Sequence, residues 1–248
     1  MPNTREIQWK RILPEGVAIV VSILLAFWID AWWDGQVERQ DLVEFLSSFR
    51  EELIESRQDI ERTLRLSVDV LRTTDQVFLL LANEEVADVP ANFSEVLGKT
   101  YKIHNPVLAT GAYEDMVNSG NLRLISDRRL SAKINQYIQI VSSVRAVNDI
   151  LWETYYDLQA PFLVEHAVIS NFGWESTEEI EDADGLLSTT PVAPFSIDFK
   201  PLKTKRYWNL LYSWKEAYSD QVRQLVVARD YCDEILELLE AELERQTN

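Results

Sequence analysis

Apolar residues along the chain fall into one uninterrupted run and three long stretches with a helical repeat. The run is Gly16 to Ile29, apolar except for Ser22, and no comparable run follows it. Extended to residues 13–33 it holds about 20 residues, or ~30 Å of helix, which matches the hydrocarbon thickness of a bilayer. Trp28, Trp32 and Trp33 at one end and Trp9 beyond the other suit the two membrane–water interfaces. A signal peptide and a buried core helix are the competing readings of so short an apolar core. The sequence Ile29-Asp30-Ala31 is a poor cleavage site, so residues 13–33 are read as an uncleaved transmembrane helix.

After the run, Leu42, Phe45, Leu46, Phe49, Leu53, Ile60, Leu64, Val68, Leu71, Phe78 and Leu81 recur at threes, fours and sevens. They predict a helix over 37–82 that continues from the span, with Gly35 the weak point between them. Residues 91–125 read as short helices. Thr110 starts one of them and Gly120 stops it as a left-handed residue. Ser126 or Asp127 caps a second long helix to about Ile169, with Pro161 bending it near its end. Its stripe is Leu130, Ile134, Tyr137 or Ile138, Val141, Val144, Val147 or Asn148, Leu151, Tyr155 and Leu158. Residues 170–203 form a long loop rich in Ser, Thr, Pro and acids, and a third long helix covers about 204–245. The expected fold is all-α: a transmembrane helix continuing into an elongated antiparallel bundle of three long helices plus short ones. A path that leaves the membrane, returns and leaves again puts 91–125 at the distal tip. It puts the 170–203 loop beside the membrane and the C-terminus at the distal end.

Charge orients this picture. Arg5, Lys10 and Arg11 precede the span, while Asp34 and Glu38 follow it. Positive charge stays inside, so residues 1–12 are expected in the cytoplasm and residues 34–248 outside it, in the periplasm if the membrane is a bacterial inner membrane. The net charge of −17 argues against nucleic acid as a partner. The single cysteine, Cys232, cannot form an internal disulfide and sits on an apolar stripe, as an inert buried thiol would.

Candidate chemistry is sparse. With two histidines and one cysteine, the chain lacks the Glu–His spacing of a di-iron bundle, a haem-attachment motif and a zinc-protease motif, so neither a metal nor a cofactor is expected. No catalytic residue is assigned. Two features remain. Ala18, Ser22, Ala26 and Asp30 recur every fourth residue along one side of the span, where small side chains let a partner helix approach. Trp152, Tyr155, Tyr156, Trp208, Tyr212, Trp214 and Tyr218 gather on two helices as a candidate aromatic pocket near the membrane side.

The run Glu15 to Trp33 with its charged continuation, together with Tyr113-Glu-Asp-Met-Val-Asn-Ser-Gly-Asn-Leu-Arg-Leu-Ile-Ser-Asp-Arg-Arg-Leu130, resembles an uncharacterised group of bacterial single-pass membrane proteins. These have a short N-terminal anchor and a helical domain with a Ser-Gly-x-Leu-x-Leu-Ile segment. Here Asp30-Ala-Trp-Trp33 stands where the group usually has amides. The resemblance covers most of residues 15–140 and implies no activity and no functional residue. The expected role is a non-catalytic accessory subunit on a larger integral membrane complex in the lipid bilayer, a photosynthetic or respiratory complex being one host that fits. The alternative is an anchored periplasmic ligand-binding or sensory module.

Overall fold

The computed structural model describes residues 9–83, 89–172, 194, 195, 197 and 199–247, the side chains of 9–16 and 247 excepted. Every regular element among them is helical: α1 (Trp9–Ala82), α2 (Phe93–Thr100), α3 (Gly111–Ser119), α4 (Arg128–Glu153), α5 (Ala160–His166), α6 (Phe199–Leu202) and α7 (Lys205–Thr247), with short 3-10 turns at Asn121–Leu124 and Ile169–Asn171. Most of the acidic 170–203 loop, with Trp174 and the carboxylates from Glu175 to Asp184, lies outside the described residues.

α1 is one helix of 74 residues, continuous through Gly35, and at 1.5 Å per residue it is roughly 110 Å long. Residues 17–41 touch nothing else in the chain deeply enough to be buried, and Leu42 is the first buried position. From there the seam of α1 is Leu42, Leu46, Phe49, Leu53, Ser56, Ile60, Thr63, Ser67, Val70, Thr74, Val77 and Leu81. The steps alternate four and three, the 3.5-residue period of a left-handed supercoil. α7 follows the same rule through Tyr207, Leu211, Trp214, Tyr218, Gln221, Leu225, Ala228, Cys232, Ile235, Leu239 and Glu242. The apolar repeat in the sequence points to Val68, which is 41% exposed. Ser67, Thr63 and Thr74 take the inward places, because the strict seam runs through small hydroxyl residues that hydropathy alone assigns outward.

The helices pair in a definite order. Arg39 reaches the Gln246 carbonyl, Arg57 pairs with Asp233, and Lys215 Nζ lies 2.5 Å from Asp75 Oδ1, so α7 runs antiparallel to α1. Arg245 bonds Asp127 at 3.0 Å, Lys133 pairs with Glu234, and Gln159 Nε2 donates to the Leu210 carbonyl at 2.7 Å, so α7 is antiparallel to α4 as well. α1 and α4 therefore point the same way. This corrects the expected path. The second leg of the bundle is not α4 but the chain from α2 to the Asn121–Leu124 turn, which begins at the far end of α1 and comes back to Glu38, where Arg123 pairs at 2.9 Å. Residues 91–125 thus run the length of the bundle instead of forming its tip. The C-terminus lies at the apolar end of the bundle. Both ends of the 170–203 loop lie at the far end: Lys203 Nζ donates to the Asn83 carbonyl, and the Phe172 carbonyl packs on Gly98, where an added Cβ would sit 1.9 Å from it.

The return leg covers so much length because residues 101–110 have no helix. Extended chain advances about 3.3 Å per residue against 1.5 Å in a helix. Its backbone groups still need partners, and the flanking helices supply them. Trp214 Nε1, Tyr218 OH and Gln221 Nε2, on successive turns of α7, donate to the carbonyls of Thr100, Lys102 and His104 at 2.7, 2.6 and 2.7 Å. From α1, Asp59, Ser56 and Glu52 accept from the amides of Val107, Ala109 and Ala112 at 2.5, 3.0 and 2.9 Å.

Two apolar clusters fill the core. One joins Leu42–Ile60 with Leu130–Val144 and Leu225–Leu239; the other joins Val70–Leu81 with α2, Leu151, Phe162 and Tyr207–Tyr218. A buried polar layer separates them: Ser67 Oγ donates to Gln221 Oε1 at 2.7 Å, and Gln221 Nε2 donates to Asn148 Oδ1 at 2.9 Å. At helix ends the local signals hold. Gly120 is left-handed at φ 74°, and the Asp127 carboxylate accepts from the amides of Arg129 and Leu130. That capping, with Arg245 beside it, holds the Asp127 carboxyl below its ordinary value. The irregularity that accompanies Pro161 begins before the proline. The helix widens to a π-turn over Thr154–Gln159 and resumes as α5. Proline has no N–H for the Asp157 carbonyl, and the inserted residue relieves that mismatch while swinging Gln159 inward in place of Leu158.

Candidate functional site

Two regions carry the sequence-derived candidates, and the fold separates them. The first is the apolar end of α1. It is the one helix, among the described residues, long and apolar enough to cross a membrane, and its 18-residue window has mean hydropathy 1.7 with none of it buried. Val17, Leu24, Phe27 and Trp28 are 56%, 62%, 67% and 66% exposed, so this surface has no cover from its own chain. Trp32 and Trp33 lie 6.5 Å apart, ring centre to ring centre, at the end of the apolar segment. Trp9 opens the helix, and its side chain is outside the described set. Ala18, Ser22, Ala26 and Asp30 are all exposed along the helix. The Ser22 hydroxyl donates to the Ala18 carbonyl at 2.8 Å, so its proton is already used and only its oxygen lone pairs are available to a neighbouring helix.

The second region is the aromatic group, and here the expected position beside the membrane is corrected. Trp208 packs edge-on against Phe78 with 4.6 Å between ring centres, level with the last turns of α1. The group therefore lies about 60 Å along the helix from Trp33, not beside the apolar end. Trp214 and Tyr218 are fully buried, while Tyr156 and Tyr212 are 61% and 55% exposed, so the seven candidates do not share one wall. Tyr101 and Tyr155 fill the space against Trp214, with ring centres 5.5 and 6.1 Å from it. Tyr101 OH in turn bonds Tyr207 OH at 3.2 Å and Gln159 Oε1 at 3.3 Å. Trp152 and Tyr156 stack at the surface, 5.6 Å apart. The rings occupy one another's volume, and Trp214 and Tyr218 spend their polar atoms on the extended segment. Tyr101 and Gln159 were not legible as members of this group, since hydropathy does not mark an extended segment or a residue inverted by a π-turn as core; Tyr207 joins them from the first turn of α7.

Other reactive groups are closed off. Cys232 is fully buried, and burial pushes its thiol up to about 12. The neighbouring Tyr137 hydroxyl is raised chiefly by the same desolvation and has Ser56 and Cys232 close to it, neither in good hydrogen-bond geometry. Among the described residues no three His, Cys, Asp or Glu side chains are grouped to hold a metal ion. His104 is pushed down to about 4 by burial, with Lys102 and Arg62 adding repulsion. No family model, no curated protein and no solved structure matches the chain.

Proposed function

We propose that this chain is a non-catalytic, single-pass membrane accessory subunit. Residues 13–33 cross the bilayer with residues 1–12 in the cytoplasm, and the helical body stands in the periplasm against a larger integral membrane complex. The observation that carries the reading is the uncovered apolar end of α1, which continues without a break into the core seam beginning at Leu42. A surface of that size and apolarity left open by its own chain calls for lipid or protein around it. Because the same helix forms both span and core, a neighbour that packs on Ala18, Ser22, Ala26 and Asp30 also fixes where the bundle stands. In this arrangement α3, the start of α4 and the end of α7 stand nearest the membrane, and the described ends of the 170–203 loop are remote from it. The resemblance to uncharacterised single-pass proteins agrees with this role. A ligand-binding role through the aromatic cluster has less support, since those rings are packed against each other.

Extraction in a mild non-ionic detergent tests the proposal. The chain should migrate with a complex several times its own mass of 28.8 kDa. Ala18→Leu with Ser22→Leu should release it while leaving it in the membrane, and Val17→Leu with Val21→Leu should not. Migration of the native chain alone, or retention of the complex by both pairs, would remove the docking role.

A further inference from the structure

A groove of about 360 Å³ opens between α1 and the turn that follows α2. Its floor is apolar, made by Leu66 and the buried Val70, and its rim carries Arg72, Lys99, Lys102 and His104 against one carboxylate, Asp69. On a chain of net charge −17 this is a local reversal of sign. Two of the cations are shared: Arg72 Nη1 lies 2.5 Å from Asp69 Oδ1, and Lys99 Nζ lies 2.7 Å from Glu95 Oε1. Lys102 forms no ion pair among the described residues, and the His104 ring receives no hydrogen bond there. The fold holds both in place. The carbonyls of Lys102 and His104 are gripped from the opposite side by Tyr218 and Gln221, which leaves their side chains on the groove side of an immobilised backbone.

We propose that this groove binds a small dissolved organic anion whose carboxylate sits among Lys102, His104 and Arg72 while a short apolar part rests on Leu66 and Val70. The arrangement has the two parts such a ligand needs, an apolar floor and a few convergent polar groups. A charge-assisted contact to a lysine or arginine supplies the headgroup recognition. Lipid of the anchoring membrane is out of reach, since Val70 stands roughly 55 Å along α1 from Trp33. The groove does not depend on the accessory-subunit role, so the two proposals fail separately.

His104 makes the binding readable. The groups that face it are Lys102 on its own segment and Arg62 on α1, with Arg72, Asp69 and Lys99 around the rim. Burial first, and then Lys102 and Arg62, disfavour its protonation, and a bound anion opposes them. The full-length chain in non-ionic detergent is labelled in its histidine rings; it has two histidines, so His166→Gln assigns them. At pH 7 sodium hexanoate is titrated in, with sodium chloride added to matching ionic strength as reference. Hexanoate should move the His104 resonance to saturation and leave that of His166 in place. It should also raise the His104 protonation midpoint by about one unit or more, into the range above pH 5. Lys102→Gln should weaken the titration about tenfold or more with helical content unchanged. The proposal is overturned if chloride or hexan-1-ol moves His104 as hexanoate does, or if Lys102→Gln leaves the titration as it was.

Discussion

Replacement of Gln221 by leucine probes the polar layer most directly. Gln221 is fully buried and is the hub of the layer: it accepts from Ser67 Oγ and donates to Asn148 Oδ1 and to the His104 carbonyl. Leucine has nearly the same volume, so packing changes little and the lost hydrogen bonds dominate. Ser67 can turn its hydroxyl to its own helix, as Thr74 already does with the Val70 carbonyl at 2.7 Å. Asn148 Oδ1 has no such recourse, and the His104 carbonyl keeps only the Asn105 side-chain amide, 3.1 Å away. Each of the two lost partnerships costs about 1–3 kcal/mol, and the added apolar burial returns about 1 kcal/mol, for a net loss of roughly 1–5 kcal/mol. In a chain of this size that lowers the thermal midpoint by roughly 2–20 °C, read by circular dichroism at 222 nm in a fixed non-ionic detergent. The triple change Ser67→Ala, Asn148→Leu, Gln221→Leu leaves only the carbonyl short of its Gln221 donor and should recover more than half of the loss. A midpoint within about 1 °C of the parent for Gln221→Leu alone would refute the argument that the extended segment depends on α7 for its hydrogen bonds.

The remaining predictions concern register, packing, pH and topology. Spin labels at Arg50→Cys and Glu240→Cys in a Cys232→Ala background should lie about 20 Å apart, as on neighbouring helices; a separation near 60 Å would restore the distal C-terminus and refute the register. Gly98→Ala places a Cβ 1.9 Å from the Phe172 carbonyl, so it should cost about 1–3 kcal/mol, seen as a lower thermal midpoint and faster amide exchange in α2; no change would mean that this contact is not maintained. Because the His104 folded pKa, about 4, is below its ordinary 6.5, the unfolded chain binds the extra proton between those values; His104 therefore contributes stability above pH 6.5 that is lost as pH falls toward 4. His104→Asn should flatten the midpoint-against-pH curve between pH 7.5 and 5.5, and an unchanged slope would exclude that residue as its source. Protease added to spheroplasts should digest the body and leave a small membrane fragment that carries Met1; a protected body would reverse the proposed topology.

The parts of this structure legible in the sequence are those set by neighbours along the chain. The helical class, the apolar run, the Asp127 cap and the left-handed Gly120 each follow from a few residues whose preferences act within one or two turns. The inert setting of Cys232 follows from its place on an apolar stripe. What the repeat did not contain is the identity of each face's neighbour. An apolar stripe is satisfied by any apolar surface, so it cannot distinguish α4 as a returning helix from α4 as a companion running parallel to α1. That choice rests on residues 101–110, which cross about half of the bundle in an extended form. They are held there because Trp214, Tyr218 and Gln221 on one side and Asp59, Ser56 and Glu52 on the other bond backbone groups between Thr100 and Ala112. Those partners are distant in sequence, and nothing local marks a tryptophan N–H or a glutamate oxygen as reserved for a particular peptide group. The same reason hid Ser67, Thr63 and Thr74 in the seam and Gln159 in the aromatic layer. A polar side chain belongs in a core only when its partner is already there, and only the tertiary structure brings the partner.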